Sequence, residues 1–252
     1  MDATLNIVFA DTDEGNKQVG DVTTKTGVAG SEIDLNLTVP TNYELAPNQT
    51  LPTSYTFGKA LNQNLYIKLV HKTVTVDPDK PDTNQDPNNP NWFKDHDLVK
   101  GITRTIEYEG LSDDQLAQIP EDQKKQVVEF TRTATYDLVT GKIVTGSEGE
   151  WKAADGKDTF AGFTPKEFAG YTANPDVVKE VTVMANGKDS TIVITYTANT
   201  QKGEIKYIDD ETGKEIGHTD LTGKTGETIT IKPDIPAGWE IVPGQNIPKE
   251  VI

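Results

Sequence analysis

Three aromatic residues are the side chains of this sequence whose chemistry best suits sugar binding, because an aromatic ring packs against the apolar face of a pyranose. Trp92 and Phe93 stand beside a polar, proline-rich stretch, and Trp151 lies in a segment without regular periodicity. Burial in a core competes with ligand binding at each of them, since large aromatic residues are mostly inside proteins. We expect Trp92 and Phe93 to be exposed, and we take all three as candidate ligand-binding residues.

Catalytic chemistry has little support in the residue types and their spacing. The three histidines, His71, His96 and His218, fall in different segments, and the chain has no cysteine to act as a nucleophile. Neither Gly-x-Ser-x-Gly nor His-Glu-x-x-His occurs. Acid pairs of the kind that glycosidases use are available among 40 acidic residues, but nothing selects one pair. We therefore expect no enzymatic activity.

Calcium is the one metal that the acidic composition suggests. The segments 11–15 and 209–213 resemble calcium loops, but the glycine comes one place early for an EF-hand and the closing glutamate is missing. We interpret both as turns between strands. A further Asp-rich stretch offers oxygen ligands at a spacing that matches no calcium loop, with Asp82, Asp86, Asp95 and Asp97. Calcium is left as an alternative to the expectation that no cofactor binds.

A strand–turn–strand pattern that occurs twice organises the elements around these residues. Residues 205–226 alternate Ile205 and Tyr207 before an acidic turn, and residues 7–27 repeat the pattern. Further matches follow in order: Lys25-Thr26-Gly27 with Lys224-Thr225-Gly226, Ile33 with Ile229, Leu35 with Ile231, Pro40 with Pro236, Tyr43 with Trp239 and Leu45 with Ile241. A separation of about 200 residues exceeds the roughly 20–50 residue periods of solenoids, which indicates a repeat of whole domains.

We divide the chain into four segments on this basis. Residues 1–76 form a β module, 77–97 a linker rich in Pro, Asp and Asn, and 98–199 a second β module, while 200–252 begin a further copy of the first. Four prolines in 77–91 make the linker a semi-rigid spacer. We expect the last copy to be incomplete, because Ile252 aligns near Thr56, before any counterpart of the alternating strand 65–70. The chain therefore resembles a piece of a longer repetitive protein.

Local patterns predict the main elements. Strands are expected at 5–9, 19–24, 33–39 and 65–70, and one long strand is expected over 127–136. Residues 181–184 and 191–196 suggest a hairpin closed by Asn186-Gly187, and 137–141 suggests the turn of another. Ser112 and Gln115 form a capping-box pattern that predicts a short helix.

Charge and composition exclude several classes of partner. The net charge is −16, from 24 basic and 40 acidic side chains. Nucleic acid and anionic membranes are both poor partners for such a chain, since both attract basic surfaces. No apolar run approaches the ~18–20 residues of a membrane span. The lack of cysteine excludes disulfide bonds.

The order of motifs resembles the mucus-binding repeat of lactic-acid-bacterial surface adhesins, the Mub and MucBP-type families. The motifs are residues 207–214 and 220–226, the proline linker, and the segments 102–106, 130–135, 170–173 and 194–196. The resemblance implies a mainly β fold (β-rich α+β) of tandem, elongated modules with ubiquitin-like β-grasp character. It also implies a cell-wall-anchored, extracellular rod on the bacterial surface. The segment 112–125 departs from the shorter turn of that pattern.

The function expected from the resemblance is adhesion to host mucin glycans through weak sites that act together with neighbouring repeats. A single shallow site of millimolar affinity contributes about −4 kcal/mol, and repetition along one rod strengthens attachment by orders of magnitude. Two alternatives remain, namely a structural spacer that projects a distal domain and a module that binds immunoglobulin.

Overall fold

Strands make up most of the regular structure in a computed structural model of the chain, which describes residues 2–252. The strands are β1 (Asp2–Asp11), β2 (Lys17–Val28), β3 (Glu32–Asp34), β4 (Tyr43–Leu45), β5 (Ser54–Thr56), β6 (Asn62–His71), β7 (Thr73–Val76), β8 (Val99–Glu109), β9 (Lys125–Thr131), β10 (Ala134–Asp137), β11 (Lys142–Ile143), β12 (Lys152–Ala153), β13 (Thr159–Phe160), β14 (Tyr171–Asn174), β15 (Val181–Thr182), β16 (Ser190–Ala198), β17 (Thr200–Ile208), β18 (Glu215–Lys224), β19 (Ile229–Thr230) and β20 (Glu250–Val251). The helices of residues 2–252 are α1 (Trp92–Asp95) and α2 (Asp113–Leu116), with 3-10 turns at Pro81–Thr83, Glu121–Gln123 and Ala154–Gly156. The mainly β prediction is confirmed.

The chain packs into two units. The first runs up to Lys100 and resumes over Phe130–Ala154, and the second comprises Gly101–Glu129 and Asp155–Ile252. Across the described part of the chain, 2–252, no helix has the length and apolar character needed to cross a membrane.

The main sheet of the first unit has the order β2-β1-β6-β4. β1 runs antiparallel to β2 and parallel to β6, and β4 closes the other edge of β6. Alternate residues of β1 point into a core, as the period of a strand requires. The buried members of this core are Ala3, Leu5, Ile7, Leu35, Phe57, Ile67 and Leu69. The strand predicted over 33–39 shrinks to β3, because Asn36 adopts a φ of 52° that ends the extended backbone.

A second, smaller core completes the first unit. β10 pairs with β7 and with β11, so the hairpin predicted around 137–141 is confirmed. Val76, Trp92, Leu98 and Ala134 are buried between these elements. The single strand predicted over 127–136 is wrong, since β9 and β10 belong to different sheets. The break falls at Arg132, whose amide donates to the carbonyl of Leu98.

The second unit contains the sheet order β9-β8-β16-β14. β16 runs parallel to β8 and antiparallel to β14, while β15 pairs with β13. The hairpin predicted between 181–184 and 191–196 is therefore wrong. The predicted turn does form, and in it the Gly187 amide donates to the Met184 carbonyl. The strand that follows, β16, pairs with β8 rather than with β15, and this pairing buries Ile194 and Tyr196.

The capping box at α2 is confirmed, and it explains why so short a helix forms. Ser112 Oγ accepts a hydrogen bond from the Gln115 amide at 3.3 Å, and the Ser112 amide donates to Gln115 Oε1 at 2.9 Å. These two bonds satisfy amides that the first helical turn leaves without partners.

The two copies of the repeated pattern form the same hairpin, β1/β2 and β17/β18. Ile7 pairs with Thr23 as Ile205 pairs with Thr219, so Gly27 is equivalent to Gly223. The sequence match of Gly27 with Gly226 is therefore shifted. The true counterpart of Gly226 is Gly30, and both take positive φ, 76° and 88°.

Candidate functional site

Trp151 is the predicted site residue that the structure places in a charged, partly exposed environment. It precedes β12, and the pairing of Lys152 with Thr131 brings its ring beside Arg132. Lys100 Nζ lies 4.3 Å from the centroid of the Trp151 ring, and Arg132 Cζ lies 4.5 Å from it. Each cation interacts favourably with the electron-rich ring face, so the indole holds two positive charges in place.

A second set of contacts fixes Arg132. Its Nε donates to the Asp97 carbonyl at 2.9 Å, and its Nη2 donates to Asp97 Oδ2 at 2.5 Å. Asp97 takes a φ of 56°, in the left-handed region that Asp tolerates better than most residues. This carboxylate offsets part of the Arg132 charge. Lys100, by contrast, makes no ion pair with any carboxylate of residues 2–252.

The geometry changes the role expected of Trp151. The ring faces beneath Lys100 and Arg132 are covered, so a sugar stacks there only by displacing a cation. The ammonium and guanidinium groups instead offer N–H donors to hydroxyl, carboxylate or sulfate oxygens. Trp151, Lys100 and Arg132 are named the Trp151 cluster below.

Trp92 is buried, which makes the expectation of an exposed Trp92 wrong. Only 4% of the residue is exposed, and its ring stacks on His96 with 4.1 Å between centroids. Phe93 and Tyr136 contact the same ring edge-on. The cause is α1, a single helical turn that folds Trp92 back onto the second core of the first unit. Phe93 is half-buried against that core, and Trp151 is not part of it.

Sequence analysis missed a buried cluster of Asp11, His71 and Asp137. His71 Nε2 lies 2.8 Å from Asp11 Oδ2, and His71 Nδ1 lies 2.6 Å from Asp137 Oδ2. The side chains are 2%, 8% and 14% exposed for Asp11, His71 and Asp137. The imidazole therefore joins two carboxylates that are 126 positions apart in sequence.

The two aspartates use their oxygens in the same way. Asp11 Oδ1 accepts from the amides of Asp13 and Glu14, and Asp137 Oδ1 accepts from those of Val139 and Thr140. Each thus closes its own turn with one oxygen and holds His71 with the other. Asp side chains commonly bond to backbone amides two residues ahead, so the turns were readable from the sequence. The shared histidine was not.

The pKa values of the cluster follow from this geometry. Burial by itself lowers the pKa of His71, but hydrogen bonds to Asp137 and Asp11 outweigh it and raise the pKa above 6.5. Burial by itself raises the pKa of Asp11 and of Asp137, yet the bonds from His71 and from backbone amides lower both pKa values below 3.8. The arrangement favours a charged imidazolium between two carboxylates.

This buried cluster fits a structural role better than catalysis or metal binding. Both ring nitrogens of His71 are engaged by carboxylates, which leaves neither free for a substrate or a metal. Donor atoms of Asp11, Asp13 and His71 do lie within 4.8 Å of one another, as do those of Glu204, His218 and Asp220. Each group includes an imidazole, whereas calcium selects oxygen ligands. The calcium alternative therefore gains no support from these two groups.

Comparison with known protein families gives two matches that lie end to end along the chain. The Muc B2-like domain family matches residues 93–200, and the mucin binding domain family matches residues 201–250. None of the curated proteins compared with the chain matches it.

Solved structures with similar chains include three mucus-related proteins. The type 2 repeat of the mucus binding protein MUB from Lactobacillus reuteri is 17% identical, with 78% of this chain and 100% of that chain covered and a TM-score of 0.46. Mub-RV is 21% identical, with 77% and 97% covered and a TM-score of 0.44. The MucBP domain of the adhesion protein from Pediococcus pentosaceus is 31% identical, with 40% and 99% covered and a TM-score of 0.28. With its two family matches lying end to end over residues 93–250, the chain belongs to the MucBP-type family of mucus-binding repeats.

Proposed function

We propose that this chain is a repeat of an extracellular bacterial adhesin and that it binds host mucin glycoprotein without chemical conversion. The observation that carries the proposal is the pair of adjacent matches, a Muc B2-like domain over 93–200 and a mucin binding domain over 201–250. Both are families of mucin-binding adhesin domains and neither is a family of enzymes. Anchoring to the cell wall is part of the proposal.

The Trp151 cluster is our proposed contact surface for mucin glycans. Lys100 and the remaining donors of Arg132 reach sugar hydroxyls and the acidic groups that many mucin glycans carry. Trp151 positions both cations, since each lies within 4.5 Å of the ring centroid. One such open site binds weakly, at roughly millimolar affinity. Repeats along one adhesin then raise the effective strength of attachment through avidity.

The test is binding of the purified chain to immobilised mucin, before and after removal of the glycans. We expect deglycosylation to abolish binding. Trp151→Ala should weaken binding by about tenfold, because each cation loses a cation–π contribution of roughly 0.5–1 kcal/mol and tenfold corresponds to about 1.4 kcal/mol. The control is Trp239→Ala in the second unit, where a tryptophan that is more exposed than Trp151 stacks with neither cation.

The outcomes separate the parts of the proposal. Unchanged binding to deglycosylated mucin would overturn glycan recognition. Equal losses of mucin affinity from Trp151→Ala and Trp239→Ala would show that the Trp151 cluster is not the specific contact surface. That result would not contradict mucin binding by the chain.

A further inference from the structure

Arg104 occupies a position on β8 where the strand pattern favours an apolar side chain. β8 buries alternate residues, and Arg104 lies between Ile102 and Ile106 in the buried row. Only 2% of the residue is exposed, and charged side chains are almost never buried to this degree unless an opposite charge pairs with them. No carboxylate of residues 2–252 forms an ion pair with Arg104, so the described chain does not supply that charge.

Uncharged acceptors engage part of the guanidinium. Nη1 donates to the Lys179 carbonyl at 3.1 Å, and Nη2 donates to the Ala161 carbonyl and to Gln126 Oε1, both at 2.6 Å. A guanidinium carries five N–H donors, so these three bonds leave two donors over. Nε is buried and finds no hydrogen-bond partner in the described part of the chain. A buried donor without an acceptor is destabilising, and more so when it belongs to a charged group.

The ionisation of Arg104 reflects the same lack of a counter-charge. Burial lowers the pKa of the guanidinium below its ordinary value of 12.5, and loss of solvation is the cause. Arginine nevertheless stays protonated in proteins, so the positive charge persists inside the second unit. A negatively charged group at this position would therefore stabilise the folded chain.

A cavity of about 500 Å³ adjoins Arg104. Phe160, Val183 and Ile192 give it apolar walls, and the centroid of the Phe160 ring lies 5.0 Å from Arg104 Cζ. Met184 also lines the cavity and is 67% exposed, so a flexible, unbranched side chain lies between the cavity and solvent. This volume and a mainly apolar lining with one buried cation suit a small organic ligand.

The charge of the lining selects an anion. Two basic residues, Arg104 and Lys188, and no acidic residue line the cavity, in a chain with 40 acidic and 24 basic side chains. Asp189 follows Lys188 but is engaged elsewhere, since its Oδ1 accepts from the Thr103 amide at 2.7 Å. Glu180 immediately precedes β15 and makes no ion pair with Arg104. The cavity is thus electrostatically complementary to a negative group.

We propose that this cavity, named the Arg104 cavity below, binds a small organic acid, with its carboxylate at the Arg104 guanidinium and an apolar body against Phe160. The carboxylate supplies the missing counter-charge and accepts from the N–H donors left over, in charge-assisted bonds that are stronger than neutral ones. The exposed Met184 moves aside to admit it. The Arg104 cavity lies in the second unit and the Trp151 cluster in the first, so this binding goes beyond the mucin contact proposed above.

The experiment follows the arginine Nε–H groups directly, because the chain contains two arginines, Arg104 and Arg132. They give two signals in a nitrogen–proton correlation spectrum in slightly acidic buffer, and Arg104→Lys identifies the first. Benzoate is the probe, since it joins a carboxylate to a flat apolar ring. We expect benzoate to shift the Arg104 signal downfield, with half-saturation at roughly millimolar concentration. The Arg132 signal should stay in place, because its Nε already donates to the Asp97 carbonyl.

Two ligand controls separate the charge from the apolar body. Benzamide has nearly the shape of benzoate but no charge, and it should require at least about tenfold higher concentration, since it loses the charge-assisted bonds. Sodium chloride at the same ionic strength should leave the Arg104 signal in place, because chloride has no apolar body to fill the cavity.

Matched surface variants test the cavity without any change in the core. Lys188→Gln should weaken benzoate binding by about threefold, because it removes the second positive charge of the lining. Lys166→Gln replaces an exposed lysine of the same unit that is not part of the lining, and it should leave the affinity for benzoate unchanged.

Four results would overturn the proposal. An Arg104 signal that tens of millimolar benzoate leaves in place would exclude binding at the guanidinium, and an equal response to benzamide would exclude recognition of the charge. An equal response to chloride would assign the cavity to inorganic anions instead of an organic acid. Equal losses of benzoate affinity from Lys188→Gln and Lys166→Gln would place the bound benzoate outside the Arg104 cavity.

Discussion

His71 shows how a single residue sets the pH range in which the first unit is most stable. Its raised pKa means that the folded state binds a proton more tightly than the unfolded chain. The resulting stabilisation is complete below pH 6.5 and is lost as the pH rises through the higher folded pKa. The lowered pKa values of Asp11 and Asp137 act in the opposite sense, since their contribution is present above pH 3.8 and lost as the pH falls through the folded values.

We predict that the first unit is most stable between these limits and loses stability from about pH 6.5 upwards. His71→Gln should lower the free energy of unfolding by roughly 3–5 kcal/mol near pH 6, because it leaves two buried carboxylates without a cation. It should also remove the loss of stability at alkaline pH. Urea unfolding at several pH values, followed through the fluorescence of the buried Trp92, measures both effects.

The control is His218→Gln, since His218 is half-exposed in the second unit and lies outside the buried cluster. A first unit whose stability is flat from pH 6 to pH 9 in the unsubstituted chain would contradict the prediction.

At this scale the sequence was informative about turns and uninformative about long-range partners. The Asp-x-x-x-Gly pattern at Asp11 and Asp137 indicated two tight turns, and both form. Nothing local could pair either turn with His71, which lies 60 and 66 positions away in the chain. The burial of Trp92 was missed for a related reason, because its polar neighbours in sequence are not its neighbours in space.

At the scale of elements, the positive-φ glycine before β3 and β19 is shared by both copies. Gly30 and Gly226 leave the hairpin and turn the chain toward the next strand with φ of 88° and 76°. We predict that Gly30→Ala lowers the stability of the first unit by about 1–2 kcal/mol, and that Gly226→Ala does the same locally in the second, because a Cβ disfavours the left-handed region. No atom lies within 4 Å of a Cβ at Gly30, so the cost is one of backbone strain alone.

Urea unfolding measures the first effect, and Gly58→Ala is its matched control. Gly58 lacks a positive φ, and its nearest contact to an added Cβ is Gln63 Oε1 at 3.5 Å. Equal losses from Gly30→Ala and Gly58→Ala would show that the conformation of Gly30 is not the cause.

Local elements were predictable, whereas pairings between distant segments were less so. The β1/β2 and β17/β18 hairpins and the α2 cap follow from alternation and turn chemistry within about 20 residues, as such signals allow. The parallel pairing of β8 with β16 joins segments 86 positions apart, and the local Asn-Gly turn pointed to a hairpin instead. Parallel strands require a long connection, so a short-range turn signal does not reveal them.

For the chain as a whole, we predict that purified protein releases no sugar from mucin. The motivation is the match to two families of binding domains, together with the absence of any recognisable catalytic motif in the sequence. Incubation with mucin followed by chromatography of free glycans measures the outcome. Steady release that one carboxylate substitution abolishes would contradict the prediction.

The net charge of −16 governs the salt dependence of binding to acidic mucin. Two effects oppose each other, since the whole chain repels acidic glycans while Lys100 and Arg132 attract them at contact. The Debye length falls from about 30 Å at 0.01 M salt to about 8 Å at 0.15 M, so added salt weakens the long-range repulsion more than it weakens contacts at hydrogen-bond distance.

We therefore predict that binding to acidic mucin is unchanged or strengthened as salt rises over this range. Lys100→Gln combined with Arg132→Gln should weaken binding at every salt concentration, because it removes the contact attraction and leaves the repulsion. Surface-based binding measurements at several salt concentrations test both statements, with mucin stripped of its acidic groups as the control that should show little salt dependence. A steep loss of binding with added salt, abolished by the double substitution, would mean that attraction at the Trp151 cluster outweighs the charge of the whole chain.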